Sequence, residues 1–162
     1  REEGMSRVAH ICPHCGVELV KPRSLADHRR YFAAIHKATA AWPHNHEFQP
    51  SGPDHLRAYL LVTAGYHDVK TVDLAWAIAE DNPHLIQLAR LAVEASVSAA
   101  LSRGDYVFTR PRGDVVEILS PKSINFRTLS QKEFGPIREA CEEIIELAIG
   151  TTVDQLLRQE AA

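Results

Sequence analysis

Residues 106–119 read Tyr106-Val107-Phe108-Thr109-Arg110-Pro111-Arg112-Gly113-Asp114-Val115-Val116-Glu117-Ile118-Leu119. Two runs of β-branched and aromatic residues flank a segment holding Pro111 and Gly113-Asp114. That pattern predicts a β-hairpin with a basic tip. The rest of the chain reads in helical periods, so this stretch decides the fold class: α+β, mostly helical, with one hairpin. Downstream, Ser130-Gln131-Lys132-Glu133 is a capping-box pattern. The helix it opens should run to about Ile149, burying Phe134, Ile137, Cys141, Ile144 and Ala148. Gly150 stops it, and a short helix follows from about Val153 to Arg158.

Upstream, Asn82-Pro83 caps and opens a helix predicted to reach about Leu101, with Leu85, Leu88, Ala92, Ala95 and Ala99 buried. Asp73 to Ala79 reads as a short helix, and residues 66–72 as irregular or a short strand. Pro53 suits the first turn of a helix over about Asp54 to Ala64, with Leu56, Tyr59, Leu60 and Thr63 on one side. Ser24 is a plausible N-cap for a helix from about Leu25 to Trp42, ended by Pro43. Leu25, His28, Phe32, Ile35, Thr39 and Trp42 recur on one face. Residues 1–42 read as a metal-stapled module running into this helix, and residues 43–162 as the helical α+β body.

The chain has 162 residues, 45% hydrophobic and 24% charged, which is the composition of a globular protein. No apolar run reaches the ~18 residues of a membrane span. Met5 reads as the natural start, with no apolar signal core before or after it, so a secreted or membrane protein is not expected. The net charge of −3 is unevenly spread. Residues 6–37 hold six Lys/Arg against two acids and residues 101–138 seven against four, while residues 139–162 hold one against six. Two basic blocks suggest an anion-binding surface.

There are three cysteines, Cys12, Cys15 and Cys141, and all nine histidines lie in the first 84 residues. Cys12-Pro13-His14-Cys15-Gly16 places two thiolates on one tight turn, which is half a zinc site. Beyond it, Leu19, Leu25 and His28 follow at intervals that resemble a C2H2 zinc finger. That resemblance implies Cys12, Cys15 and His28 as metal ligands, with Leu19 and Leu25 forming the mini-core. The family's second histidine would fall where Phe32 stands. His36, eight residues beyond His28, is the candidate fourth ligand, but an unbroken helix separates the two by ~12 Å. His10, His14, His44, His46 or a water are the alternatives. Cys141 sits at core spacing and reads as a small buried hydrophobe. A finger docked on duplex DNA would present Lys21, Ser24 and Asp27 to bases.

A second likeness follows from the helix itself. Arg23-Ser24-Leu25-Ala26-Asp27-His28-Arg29-Arg30-Tyr31-Phe32-Ala33-Ala34-Ile35 resembles the first helix in a family of small phage proteins of uncharacterised function. More distantly it is similar to the NinB/Orf recombination mediators. His55-Leu56-Arg57-Ala58-Tyr59-Leu60-Leu61-Val62-Thr63-Ala64-Gly65-Tyr66 is similar to the phage family's second helix. Ser120-Pro121-Lys122-Ser123-Ile124-Asn125-Phe126, with Leu129 and Glu133-Phe134, resembles its closing segment. The Cys knuckle and residues 69–104 depart from the family. The resemblance implies a phage accessory protein in recombination or replication, in the cytoplasm of a bacterial host. It further implies a homodimer that binds single-stranded DNA and contacts the host single-strand-binding protein.

Cations and stacking rings are what single-strand binding needs. Lys21, Arg23, Arg29, Arg30 and Lys37 stand beside Tyr31 and Trp42, with Arg29 and Arg30 off the apolar face; Phe32 and Trp42 fit core packing. Arg110, Arg112, Lys122 and Arg127 form a second basic set. No nucleophile–base pair, phosphate-cradling glycine loop or dinucleotide fingerprint is present. The expectation is therefore a non-catalytic nucleic-acid binder with structural zinc. One alternative is a metal-dependent nuclease using His44-Asn45-His46, which spells HNH. Another is an interaction module presenting Glu139, Glu142, Glu143 and Glu146 to a partner.

Overall fold

The computed structural model describes residues 24–78, 82–101, 106–125 and 129–158. Cys12, Cys15, Lys21, Arg23 and Arg127 lie outside the described residues. Among those described are six helices and three strands: α1 (Leu25–Ala40), α2 (Pro53–Thr63), β1 (His67–Asp73), α3 (Ala75–Ile78), α4 (Pro83–Leu101), β2 (Phe108–Arg112), β3 (Val115–Pro121), α5 (Gln131–Ile149) and α6 (Val153–Arg158). The α+β reading holds. No helix among the described residues is long and apolar enough to cross a membrane.

Local chemistry sets the element ends. The Ser24 side chain accepts from the Asp27 N–H and caps α1. Pro53 sits at the start of α2. Ser130 and Glu133 complete a capping box on α5, which ends at Gly150 with φ +78°. That left-handed angle suits glycine, which has no Cβ to clash. The β2–β3 hairpin turns through Gly113-Asp114, with Gly113 at φ +61°. Strands β1, β3 and β2 form an antiparallel sheet in that order, pairing His67 with Pro121 at one end of β1 and Asp73 with Val115 at the other. Residues 66–72, left open between coil and strand, are thus mostly an edge strand.

The core joins α1, α2, α5 and α6. Tyr31, Ala34, Ile35 and Ala38 of α1 are buried, against Leu56, Leu60, Phe134, Cys141, Ile145, Val153 and Leu156. Tyr31 meets Phe134 edge to face at 5.5 Å, and its hydroxyl donates to the Cys141 Sγ at 3.8 Å. Burial pushes the Cys141 thiol up to about 11, although the Tyr31 hydrogen bond pulls the other way. Polar links fix the register of α1 on α5. The Ser24 N–H donates to Gln131 Oε1 at 2.9 Å, and Gln131 Nε2 donates to Asp27 Oδ2 at 2.6 Å.

Two faces differ from expectation. The buried line of α1 runs through Tyr31 rather than Leu25, His28 and Phe32; Leu25 is exposed. The reason is that α5 and α6 lie on the Tyr31 side. On α4, Ala89 is buried while Leu88, Ala92, Ala95 and Ala99 are exposed. Among the described residues, the rest of the fold covers only one narrow side of that helix.

Replacing Phe134 with Ala deletes the ring that seats Tyr31. Urea unfolding should show a loss of about 3–5 kcal/mol; a loss below ~1 kcal/mol would mean the seam is not where stability resides.

Candidate nucleic-acid interface

Of the cations expected to meet phosphate, several are committed elsewhere. Arg30 lies 2.6 Å from Asp154 and 3.5 Å from Glu142. The Asp154 hydrogen bond raises its pKa above the ordinary value and lowers that of Asp154. Arg30 therefore links α1 to α5 and α6. On the hairpin, Arg110 and Arg112 both turn to Glu117, at 2.7 and 3.3 Å. Arg29 is exposed and Lys37 half-buried on α1. Ser24 and Asp27 take part in the α1–α5 joint.

Lys122 behaves differently. It follows β3, sits 3.5 Å from Asp68 and lies over the Tyr66 ring at 5.9 Å. It lines a cleft of about 960 Å³ whose other walls include His28 and Phe32 of α1, Asp54 and Arg57 of α2, Tyr106 and Asn125. Arg57 was missed in the sequence. Its guanidinium lies 5.8 Å from the Phe32 ring centroid and 3.2 Å from Asp54. Its Nε is buried with no hydrogen-bond partner. The available signal was a lone arginine inside the apolar run His55–Val62, where a helix places it one turn before Leu61.

The exposed ring of the cleft is also not the one expected. Tyr31, proposed for stacking, is 1% exposed and belongs to the core. Trp42 is buried as expected, its indole N–H donating to the Phe48 carbonyl at 2.9 Å. Tyr106, 37% exposed, takes the outer place. It stacks on His55 at 4.7 Å and 15°. His55 in turn meets Phe48 at 4.9 Å, and Phe48 stacks on Tyr59 at 3.9 Å. These rings form a mutually supported cluster whose outermost member, Tyr106, is part-exposed. His55 Nδ1 accepts from the Ser51 N–H at 3.1 Å, which leaves the ring proton on Nε2.

His28 faces the cleft, edge-on to Phe32 at 4.8 Å. α1 is continuous from Leu25 to Ala40, so exposed His36 lies ~12 Å further along the axis. That distance speaks against both imidazoles joining one tetrahedral ion. Among the described residues no group of three or more His, Cys, Asp or Glu could hold a metal. The His44-Asn45-His46 segment serves its own loop. His46 Nδ1 accepts from the Phe48 N–H at 3.0 Å, and its ring sits edge-on to Trp42 at 5.0 Å. His46 also lines a smaller pocket with Ile144 and Leu147.

Comparison with family models, curated proteins and solved structures finds no match to this chain.

Burial lowers the pKa of His55 below the ordinary imidazole value. Its neutral form is favoured in the fold. Above ~6.5 this group leaves stability untouched, and stability declines as pH falls from there toward the folded pKa. NMR titration of the His55 ring should give a midpoint below ~6.5, and His55→Gln should flatten the acid decline. A midpoint at or above that value would contradict the stacked, partly dry environment.

Proposed function

We propose that the protein is a non-catalytic nucleic-acid-binding protein that takes an unpaired strand into the α1–α2–β3 cleft. The observation that carries this reading is the meeting of Arg57, Lys122 and the part-exposed ring of Tyr106 in the lining of one cleft. Phosphates need the cations and a splayed base needs the ring. A duplex keeps its bases stacked inside, whereas a single strand can turn one outward. The acids now beside the cations are largely exposed, 73% for Asp54 and 75% for Asp68. Exposed pairs of that kind contribute little and yield readily to phosphate.

The likeness to phage accessory proteins agrees with this role. It adds DNA recombination or replication as the setting, the bacterial cytoplasm as the place and the host single-strand-binding protein as a partner. A zinc held by Cys12 and Cys15, with His28 as the donor from α1, is proposed as structural. It would staple the N-terminal residues to α1 and take no part in chemistry.

Fluorescence anisotropy with labelled single strands and duplexes across a salt series tests the reading. Single strands should bind more tightly, with affinity falling as salt rises. Arg57→Gln or Lys122→Gln should each weaken binding by about tenfold and reduce the salt slope. Tyr106→Ala should cost about 1–3 kcal/mol, while His44→Ala should change nothing. Absence of any shift in dilute buffer overturns the proposal. Strand cutting with Mg²⁺ or Mn²⁺, abolished by His44→Ala, would favour the nuclease instead.

Elemental analysis of purified protein should find one zinc per chain. Cys12→Ser and Cys15→Ser should lose it, His28→Ala should weaken its retention, and His36→Ala should keep it. A metal-free chain with both thiols freely alkylated rejects the zinc.

A further inference from the structure

We infer that the cleft seats the phosphorylated end of a strand, with the terminal phosphate monoester between Arg57 and Lys122 and the terminal base against Tyr106. The inference rests on the single-strand reading above and narrows it from any stretch of backbone to an end.

Size and lining come first. The cleft holds about 960 Å³, within the ~300–1,000 Å³ in which proteins enclose one small ligand. A groove that tracks an unbroken strand carries a run of cations along the backbone. Here the lysines and arginines among the described lining residues are Arg57 and Lys122, and the same lining holds Asp54 and Asp68. The hairpin cations Arg110 and Arg112 pair with Glu117 and do not line it. A strand running through would set further phosphates beside two carboxylates, which repel them.

The charge count then favours an end. Arg57 Nη2 lies 3.2 Å from Asp54 and Lys122 Nζ 3.5 Å from Asp68, so two cations face two carboxylates. An internal phosphodiester carries one negative charge and can replace one of them. A terminal monoester carries about −1.5 to −2 at pH 7 on three acceptor oxygens, so it replaces both at once. The displaced acids are largely exposed and return to water.

Hydrogen bonding agrees. The Nε–Nη2 edge of a guanidinium takes two phosphate oxygens as a fork. Asp54 is paired with Nη2, while Nε is buried without a hydrogen-bond partner. The Phe32 ring, 5.8 Å from the guanidinium carbon, limits how the group turns. With two oxygens on that edge, a monoester still has a third for the Lys122 ammonium. A diester has two unesterified oxygens in all, and cannot fill the fork and keep one for Lys122. The ring completes the fit. The last base of a strand lacks a neighbour on one side, so it meets part-exposed Tyr106 without breaking a base step.

Anisotropy with an internally labelled strand of one sequence, prepared 5′-phosphorylated, 3′-phosphorylated, with hydroxyls at both ends, and circular, tests this. One of the phosphorylated forms should bind about tenfold more tightly than the hydroxyl-ended form, and the circle should bind like the hydroxyl-ended form. Which phosphorylated form gains tells the polarity of the seated end. Arg57→Lys keeps the charge but removes the fork and should shrink the preference. Lys122→Gln should abolish it, and Lys70→Gln, outside the cleft lining, should leave it intact. Equal, salt-dependent binding of all four forms overturns the inference and leaves the single-strand reading standing. Failure of every form to bind overturns that reading itself. A preference that survives both Arg57→Lys and Lys122→Gln places the end elsewhere and overturns the inference. So does a nucleoside monophosphate that competes as well as the phosphorylated strand, because the cleft then takes a free nucleotide.

Discussion

The edge-to-face contact of Tyr31 with Phe134 is the constraint from which the rest of this molecule follows. It joins the first helix to the fifth across roughly a hundred residues of chain, and the Cys141 thiol beneath it takes the tyrosine hydroxyl. Aromatic pairs of this geometry add about 0.5–1.5 kcal/mol beyond the area they bury. Their larger consequence is rotational. Successive side chains on a helix diverge by about 100°, so seating Tyr31 inward turns Phe32 and His28 toward α2 and the end of β3. Phe32 then forms the wall over which the Arg57 guanidinium lies. Had Phe32 taken the core position, that wall would have been lost.

Charge in this protein is mostly spent inside its own architecture. Arg30 and Arg138 converge on Glu142, with Asp27 and Asp154 at the margins. Three helices meet at this half-buried network, where removing one partner strands the others in a place water reaches poorly. Arg110 and Arg112 share Glu117 across the hairpin. Basic blocks in the sequence therefore overstate the cationic surface. Among the described residues, Lys122 and Arg57 line the cleft, and Arg29, Lys70 and Lys132 are exposed.

The ends of the elements were legible because caps act within a few residues. Ser24, Pro53, Asn82, the Ser130–Glu133 box, Gly113 and Gly150 each state their role locally. The class followed from residues 106–119 for the same reason. Which stripe of a helix faces inward was not legible for α1, since Tyr31 and Phe32 both recur with apolar neighbours at helical spacing. The answer lay in α5 and α6, far along the chain. For α4 the periodicity pointed to burial that the described residues do not supply, because periodicity reports what a face requires and not what covers it. Arg57 was hidden by the apolar residues around it, and Glu117 and Glu142 by distance in sequence from the arginines they hold. Cys12 and Cys15 lie outside the described residues, so the metal reading stands on spacing alone.

The cleft's arrangement of charge bears on how it would discriminate among anions. Each of its two cations has an acid within reach, Arg57 with Asp54 and Lys122 with Asp68. The cleft is close to neutral at rest, so a lone inorganic anion gains little by entering: it must displace an acid and still face it. A strand presents several phosphates tied together, and the second arrives at high effective concentration once the first is held. It would also bring a base to the exposed ring of Tyr106, a gain that no inorganic anion can offer. The buried Arg57 Nε has no partner in the resting arrangement, and a donor left dry in this way favours whichever ligand reaches it. On the proposed reading, the paired acids would act as a filter, lowering affinity for small anions more than for a polymer, with selectivity coming from linkage between contacts rather than from the strength of any one.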